Sequence, residues 1–331
     1  MTSHVTDARS GGRRPGGAGA VRRAGVQRET WTAPDARRWL QLGLAFIWLL
    51  DGVLQFQSFM FTKGFAQMLG GTAPGNPWVI AGPVNWSARL IEQHAVVANG
   101  AFAVIQLLLG LGIAWRPAVR IALGASIAWA IAVWWLGEGL GGILNGAGSP
   151  VNGAPGAVII YALLAVLLWP GRRDRPAPFV AGRFTGAAVA RLLWLVLWGS
   201  LAYLALLPAT RAARALSGMV SPMASGQPGW LAGLDDHLAA FLAQRGPAAA
   251  VVLAVVLGVI AAGVYLPRPA ARVVIAVAIV TSGAIWIAEG LGGILTGGGT
   301  DPNSGPLLAL LALAYWPLAG SRPAATRSES A

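Results

Sequence analysis

Apolar residues in this chain fall into eight stretches separated by polar, glycine- and proline-rich breaks. In the first half they cover roughly 39–56, 95–115, 118–144 and 155–169, and in the second roughly 190–207, 247–266, 270–295 and 305–318. Most are long enough to cross about 30 Å of hydrocarbon at about 1.5 Å per residue. The last stretch in each half is short and needs a thinned membrane or snorkelling flanks. Backbone groups cannot stay unpaired in lipid, so the pattern predicts helices throughout. The predicted fold class is all-α: a polytopic membrane helix bundle of about eight transmembrane helices.

The two halves repeat each other. Residues 134–144 read WWLGEGLGGIL and residues 285–295 read IWIAEGLGGIL. The match runs on without a gap through Gly148 and Gly299, Asn152 and Asn303, and Pro155 and Pro306. Upstream, Arg116-Pro117 with Arg120 matches Arg268-Pro269 with Arg272, and Trp78 matches Trp230. Both halves end in Trp-Pro, at Trp169-Pro170 and Trp316-Pro317. Four helices per repeat return the chain to its starting side, so the repeats are expected to be parallel, related by an approximate two-fold axis along the membrane normal. The expected organisation is a basic tail at 1–36, a first four-helix repeat at 37–170, a linker at 171–190, a second repeat at 191–318 and a tail at 319–331.

Composition fits lipid as the main solvent. Hydrophobic residues make up 56% of the chain and charged residues only 11%, against about 25% charged in ordinary soluble domains. The net charge is +12, but the basic residues are spread over alternate turns. With the N-terminus placed in the cytoplasm, 19 of them fall inside and five (Lys63, Arg89, Arg211, Arg214 and Arg245) fall outside. That asymmetry orients the chain in the cell membrane with both termini cytoplasmic. It also accounts for the charge without a nucleic-acid partner. Residues 1–36 lack the apolar core of a signal peptide and are expected to be disordered. The preference for Arg over Lys and the abundance of Ala, Gly and Val have the look of a GC-rich bacterial coding sequence.

Chemistry concentrates in few residues. Asp51 lies thirteen residues beyond Arg38, about 20 Å along a helix and well inside the membrane. Glu138 and Glu289 occupy matching places near the outer boundary. An intramembrane acid marks a functional site by default, so these three are expected to line a polar cavity or bind a ligand. The plain alternative for the Glu pair is headgroup water at helix ends. Each Glu is followed by Gly-rich sequence, and paired Gly/Pro-interrupted segments in two halves point to a binding site. Gly141, Gly142, Gly292, Gly293, Asn152 and Asn303 are therefore candidates for shaping the pocket, with close helix packing as the alternative for the glycines.

With 0 cysteines the chain has no thiolate chemistry. No metal site is expected: His94 and His237 do not align between halves, and no His lies within the spans where haem would need one. In the outer segments 57–94 and 208–246, Phe61–Leu69 and Trp86–Glu92 read as interfacial amphipathic helices, with Arg89 and Glu92 able to pair. Neither a nucleophile–base arrangement nor a phosphate-binding loop stands out.

The four-helix unit resembles the DoxX/DoxD-like superfamily of bacterial membrane proteins. The resemblance rests on Leu49-Leu50-Asp51-Gly52 in the first helix, the Arg116-Pro117 inner turn, and the loop from Asn152 into the last apolar helix ending at Trp169. Such proteins often carry His where this chain has Asp51. The resemblance implies a link to a quinone-coupled or other membrane redox system. The duplicated acid and Gly-rich loop point to a subunit or binding protein of such a system with one outward-facing polar site, a protein partner in the membrane, no cofactor unless a quinone, and no catalytic activity of its own. A small-solute or cation transporter and a structural membrane module are the alternatives.

Overall fold

The computed structural model describes residues 35–171 and 175–318. Nearly all of the predicted basic tail, part of the linker and the tail at 319–331 lie outside the described residues. Those described are helical and contain no strand.

Among the described residues, thirteen α-helices follow in order. In the first half they are α1 (Ala36–Leu54), α2 (Lys63–Gly70), α3 (Trp78–Gln93), α4 (Ala95–Ala114), α5 (Val119–Leu136) and α6 (Ala157–Leu167). A short α7 (Gly182–Thr185) leads into α8 (Ala187–Leu206), α9 (Pro208–Arg211) and α10 (Ala215–Val220). The described residues close with α11 (Gly229–Gly263), α12 (Arg268–Ala288) and α13 (Ser304–Ala314). Among the described residues, five helical segments are long and apolar enough to cross a membrane: α4, α5 with the turn that precedes it, α8, α11 and α12. Their outward faces carry large apolar side chains such as Leu108, Ile121, Val196, Val252 and Val280, all exposed. Surfaces so uniformly apolar are suited to lipid rather than water.

Helix α1 has 19 residues, but Arg37, Arg38, Gln41 and Asp51 dilute its hydropathy. Its N-terminus is capped by Asp35, whose carboxylate accepts from the Arg38 amide at 2.9 Å. Leu40, Leu44, Trp48 and Asp51 recur at helical spacing and form its buried stripe. Gly110 lets α4 lie close along it: a Cβ there would stand 2.6 Å from the Leu49 side chain and 2.9 Å from the Ala45 carbonyl. At the far end of α4, Arg38 donates to the carbonyls of Ile113, at 2.9 Å, and Ala114, closing the helix terminus.

The short helices α6 and α13, of 11 residues each, span only about half the hydrocarbon thickness. They are apolar on nearly every face and sit in the interior, packed against one another. Around them α1 pairs with α4, α5 with α6, α8 with α11, and α12 with α13.

The third apolar stretch of each half ends earlier than its hydropathy predicts. Helix α5 stops at Leu136 and α12 at Ala288. Gly139, Leu140, Gly141 and Gly142 then take φ of 54°, 57°, 64° and 69°; Gly290, Leu291, Gly292 and Gly293 repeat this with 59°, 53°, 69° and 68°. A right-handed helix cannot continue through four residues of the opposite hand. The same sequence thus makes the same left-handed turn twice.

Segment 57–94 forms α2 and α3, as its amphipathic pattern predicts, although α3 starts at Trp78 and runs through Pro83. The expected Arg89–Glu92 pair does not form; Glu92 lies 3.8 Å from Lys63 and links α3 to α2 across their exposed edge. In the second half, α11 is continuous for 35 residues, through Pro247. Its N-terminal part covers the ground that α3 covers as a separate helix in the first half.

Candidate functional site

Asp51 is buried, with 1% of its surface exposed. Its Oδ2 accepts a 2.5 Å hydrogen bond from the Tyr161 hydroxyl on α6, while its Oδ1 has no partner. The Trp48 and Tyr161 rings meet at 4.2 Å with their planes tilted by 41°, which limits the tyrosine's direction. One helical turn beyond Asp51, just past the end of α1, Gln55 presents a buried Oε1 without a partner. Gln106 of α4 does the same, and Trp129 of α5 holds an unpartnered Nε1–H.

Glu138 follows α5 and reaches forward to the start of α6. Its Oε1 accepts from the Val158 amide at 3.2 Å, and its Oε2 is buried without a partner. A helix N-terminus favours a carboxylate electrostatically. Gly156 makes this approach feasible, because a Cβ there would collide with Glu138 Oε2. Trp134 steadies the same corner by donating to the Pro155 carbonyl at 2.7 Å.

These groups surround a cavity of about 380 Å³. Its walls combine aromatic side chains (Trp48, Phe65, Trp86, Phe102, Trp129 and Tyr161) with aliphatic ones such as Ile91, Val133 and Leu136, and its polar groups include Asp51, Gln55, Gln106 and Glu138. The loop before α13 in the second half adds Thr300 and Asp301. Asp301 is held by the Thr300 hydroxyl at 2.8 Å and the Asn303 amide at 2.7 Å. Among the described residues, no lysine, arginine or histidine lines this space.

A second cavity, of about 520 Å³, adjoins the first and shares Leu69, Gly137, Glu138, Thr300 and Asp301 with it. Gly141, Gly142 and Asn152 from one loop and Gly292 and Asn303 from the other line this more polar space. The two loops touch: a Cβ on Gly153 would stand 2.7 Å from Asn303 Oδ1. Asn152 braces its own loop, accepting from the Ser149 amide at 2.8 Å and donating to the Ala147 carbonyl at 3.0 Å. Asn303 adopts φ of 60° and accepts from the Ser304 amide at 2.8 Å, capping α13.

Of the candidates read from sequence, Asp51 and Glu138 line the first cavity, and Glu138, Gly141, Gly142, Asn152, Gly292 and Asn303 line the second. Glu289 and Gly293 line neither. Gly293 packs against Gly299 within its own loop. Rather than resting in headgroup water, Glu289 is only 3% exposed and accepts from the Ser304 hydroxyl at 2.6 Å at the start of α13.

Just past the ends of the spanning helices, both glutamates have altered acidity. Burial pushes Glu138 up to about 8, with Asp301 acting in the same direction and the Val158 amide opposing. Burial likewise raises Glu289 to about 8 against the Ser304 hydroxyl and the first amides of α13. Asp301 is also raised by burial, opposed by Thr300 and Asn303. Among the described residues no three His, Cys, Asp or Glu side chains converge to hold a metal ion.

Sequence reasoning misses Asp301, Tyr161, Trp129, Gln55 and Gln106. Aligned without a gap, Asp301 stands opposite Pro150, Tyr161 opposite Ala312 and Trp129 opposite Val280. Comparing the halves highlights what they share, whereas this cavity is built largely from what they do not. Comparison with known protein families, curated proteins and solved structures gives no match to this chain.

Proposed function

We propose that this is an eight-helix membrane protein of two parallel four-helix repeats, with both termini in the cytoplasm, and that it binds one small amphiphilic ligand near its outer face. In this reading α1, α4, α5 and α6 form one repeat, and α8, the C-terminal part of α11, α12 and α13 the other. The observation that carries the binding role is the cavity of about 380 Å³ with aromatic walls and unpartnered buried polar atoms. Ligand pockets are typically apolar, of about 300–1,000 Å³, with a few convergent polar groups. Asp51, Glu138 and Asp301 supply the polar end. The Gly/Asn loops frame the approach through the second cavity.

The test is to purify the full chain in lipid nanodiscs and identify small molecules retained by it, beside Ala132→Trp, which fills the space from α5. Retention by the parent protein and loss in the variant supports the reading. Identical retained material in both overturns it.

A second reading makes the ligand a quinone and the protein a subunit of a membrane redox system, as the DoxX/DoxD-like resemblance implies. It is favoured by the flat aromatic walls and by the Tyr161–Asp51 pair, whose free carboxylate oxygen could receive a quinol hydroxyl. Quinone extracted from the purified protein in stoichiometric amount would establish it. A transport role draws support from the adjoining cavities. Solute uptake into proteoliposomes decides between carrying and merely holding.

A further inference from the structure

The geometry points to an organic ammonium ion as the ligand: an apolar, aromatic-sized body against Trp48, Phe102 and Trp129, with its N–H donors directed at Asp51 and Glu138. This rests on the cavity being a ligand site and adds the chemical class.

Unmet hydrogen bonding identifies the missing partner. With Asp51 and Glu138 ionised, as a bound cation would hold them, four oxygens of side chains that line the cavity are buried without a donor: Asp51 Oδ1, Gln55 Oε1, Gln106 Oε1 and Glu138 Oε2. Against them stands one donor without an acceptor, Trp129 Nε1. Buried polar atoms in folded proteins are almost always paired. The group that satisfies this set must therefore donate several times and accept little. An ammonium offers up to three donors and no acceptor. A quinone offers the reverse, two acceptor carbonyls, and a carboxylate ligand would meet three acids with no basic residue to balance it.

The walls select the rest of the molecule. Phe102 and Trp129 meet at 5.6 Å between ring centres, and Trp48 lies on Tyr161 at 4.2 Å. Aromatic faces attract a cation and pack an apolar body equally well. A bare metal ion fits poorly, since no three ligating side chains converge among the described residues and the space is many times an ion's volume. The approach is consistent with a cation, because Glu138 and Asp301 belong to both cavities and stand where they join.

The second half lacks the counterpart. Near the position matching Asp51 it carries Tyr203 and Leu204, and Tyr161 and Trp129 are replaced by Ala312 and Val280. One ammonium per chain is the expected stoichiometry.

Phenethylammonium is the probe, titrated calorimetrically into the full chain in nanodiscs. Its neutral isostere 2-phenylethanol, phenylacetate and a short-chain ubiquinone are titrated beside it. The expected result is one phenethylammonium per chain, bound at least about tenfold more tightly than any of the other three. Glu138→Gln and Gln106→Leu are each expected to weaken the ammonium by about tenfold or more, and by more than they weaken 2-phenylethanol. Gln106→Leu guards against loss of fold, since it replaces a half-buried amide with a side chain suited to lipid. Tighter binding of the alcohol or the quinone, blocked by Ala132→Trp, would overturn the ammonium assignment and leave the cavity standing as a ligand site. Unchanged ammonium affinity in both variants would also overturn the assignment. Failure of all four probes to bind would remove both readings.

Discussion

The Tyr161 hydroxyl on α6 donates to Asp51 Oδ2 on α1 at 2.5 Å, joining residues 110 positions apart in a buried setting. The bond ties the first helix of the bundle to its short central helix and leaves the other carboxyl oxygen free toward the cavity. Removing the hydroxyl with Tyr161→Phe strands a buried acid, at an expected cost of about 1–3 kcal/mol. Replacing the acid by an amide with Asp51→Asn leaves an acceptor for the tyrosine and is expected to cost less. Thermal unfolding of both single variants and the double variant in one detergent measures the coupling, expected at about 0.5–3 kcal/mol. Additive effects would show that the bond contributes nothing to stability.

Left-handed turns after α5 and α12 make a second demand. At Gly141 the backbone has φ of 64°, and an added Cβ would overlap the Pro155 carbonyl; at Gly292, with φ of 69°, it would lie 2.6 Å from Pro302. Gly141→Ala and Gly292→Ala are each expected to destabilise by at least about 2 kcal/mol, combining backbone strain with a clash against main chain that cannot turn aside. Gly100→Ala in α4, where a Cβ meets nothing within 4 Å, serves as the control. It should be neutral or slightly stabilising. Melting temperatures of the three variants decide the matter, and equal values would mean the turns are not built as described.

These turns also show where sequence stops being informative. The apolar runs announce spanning helices because lipid requires length and hydropathy together, and α4, α5, α8, α11 and α12 meet both. The ends of α5 and α12 stay hidden because Leu140 and Leu291 take a conformation that leucine rarely adopts, so propensity argues against the very turn that forms. Glu138 and Glu289 are visible through repetition. Their attachment to α6 and α13 depends on contacts 20 and 15 residues ahead, which no local pattern encodes. Asp301 reads as an ordinary loop acid, and only the fold carries it across to the other half's cavity.

Acidity of the two glutamates gives stability a definite pH dependence. Each is raised from about 4.5 to about 8 in the folded protein, so folding favours the neutral form. That contribution is fully present below pH 4.5 and is lost as pH rises through 8. The melting temperature should therefore fall as pH is raised from below 4.5 to above 8. Glu289→Gln, which keeps a neutral side chain at every pH, should flatten the decline, and pairing it with Glu138→Gln should flatten it further. A melting temperature that rises over this interval would contradict the burial of both groups.

Topology in the membrane can be read directly because the chain has 0 cysteines, so any introduced thiol reports alone. The basic turns at Arg116/Arg120 and Arg268/Arg272, the linker with Arg183, and Arg191 near the start of α8 are expected on the cytoplasmic side, where positive charge accumulates. Pro176 in the linker and Ser225 before α11 are both exposed, so a thiol at either place can react. In intact cells a membrane-impermeant maleimide should label Ser225→Cys and spare Pro176→Cys until the membrane is opened. The reverse labelling would invert the orientation and turn both cavities toward the cytoplasm. Labelling of both sites in intact cells would break the parallel arrangement of the halves, since it places the linker and the outer segment of the second half on one side.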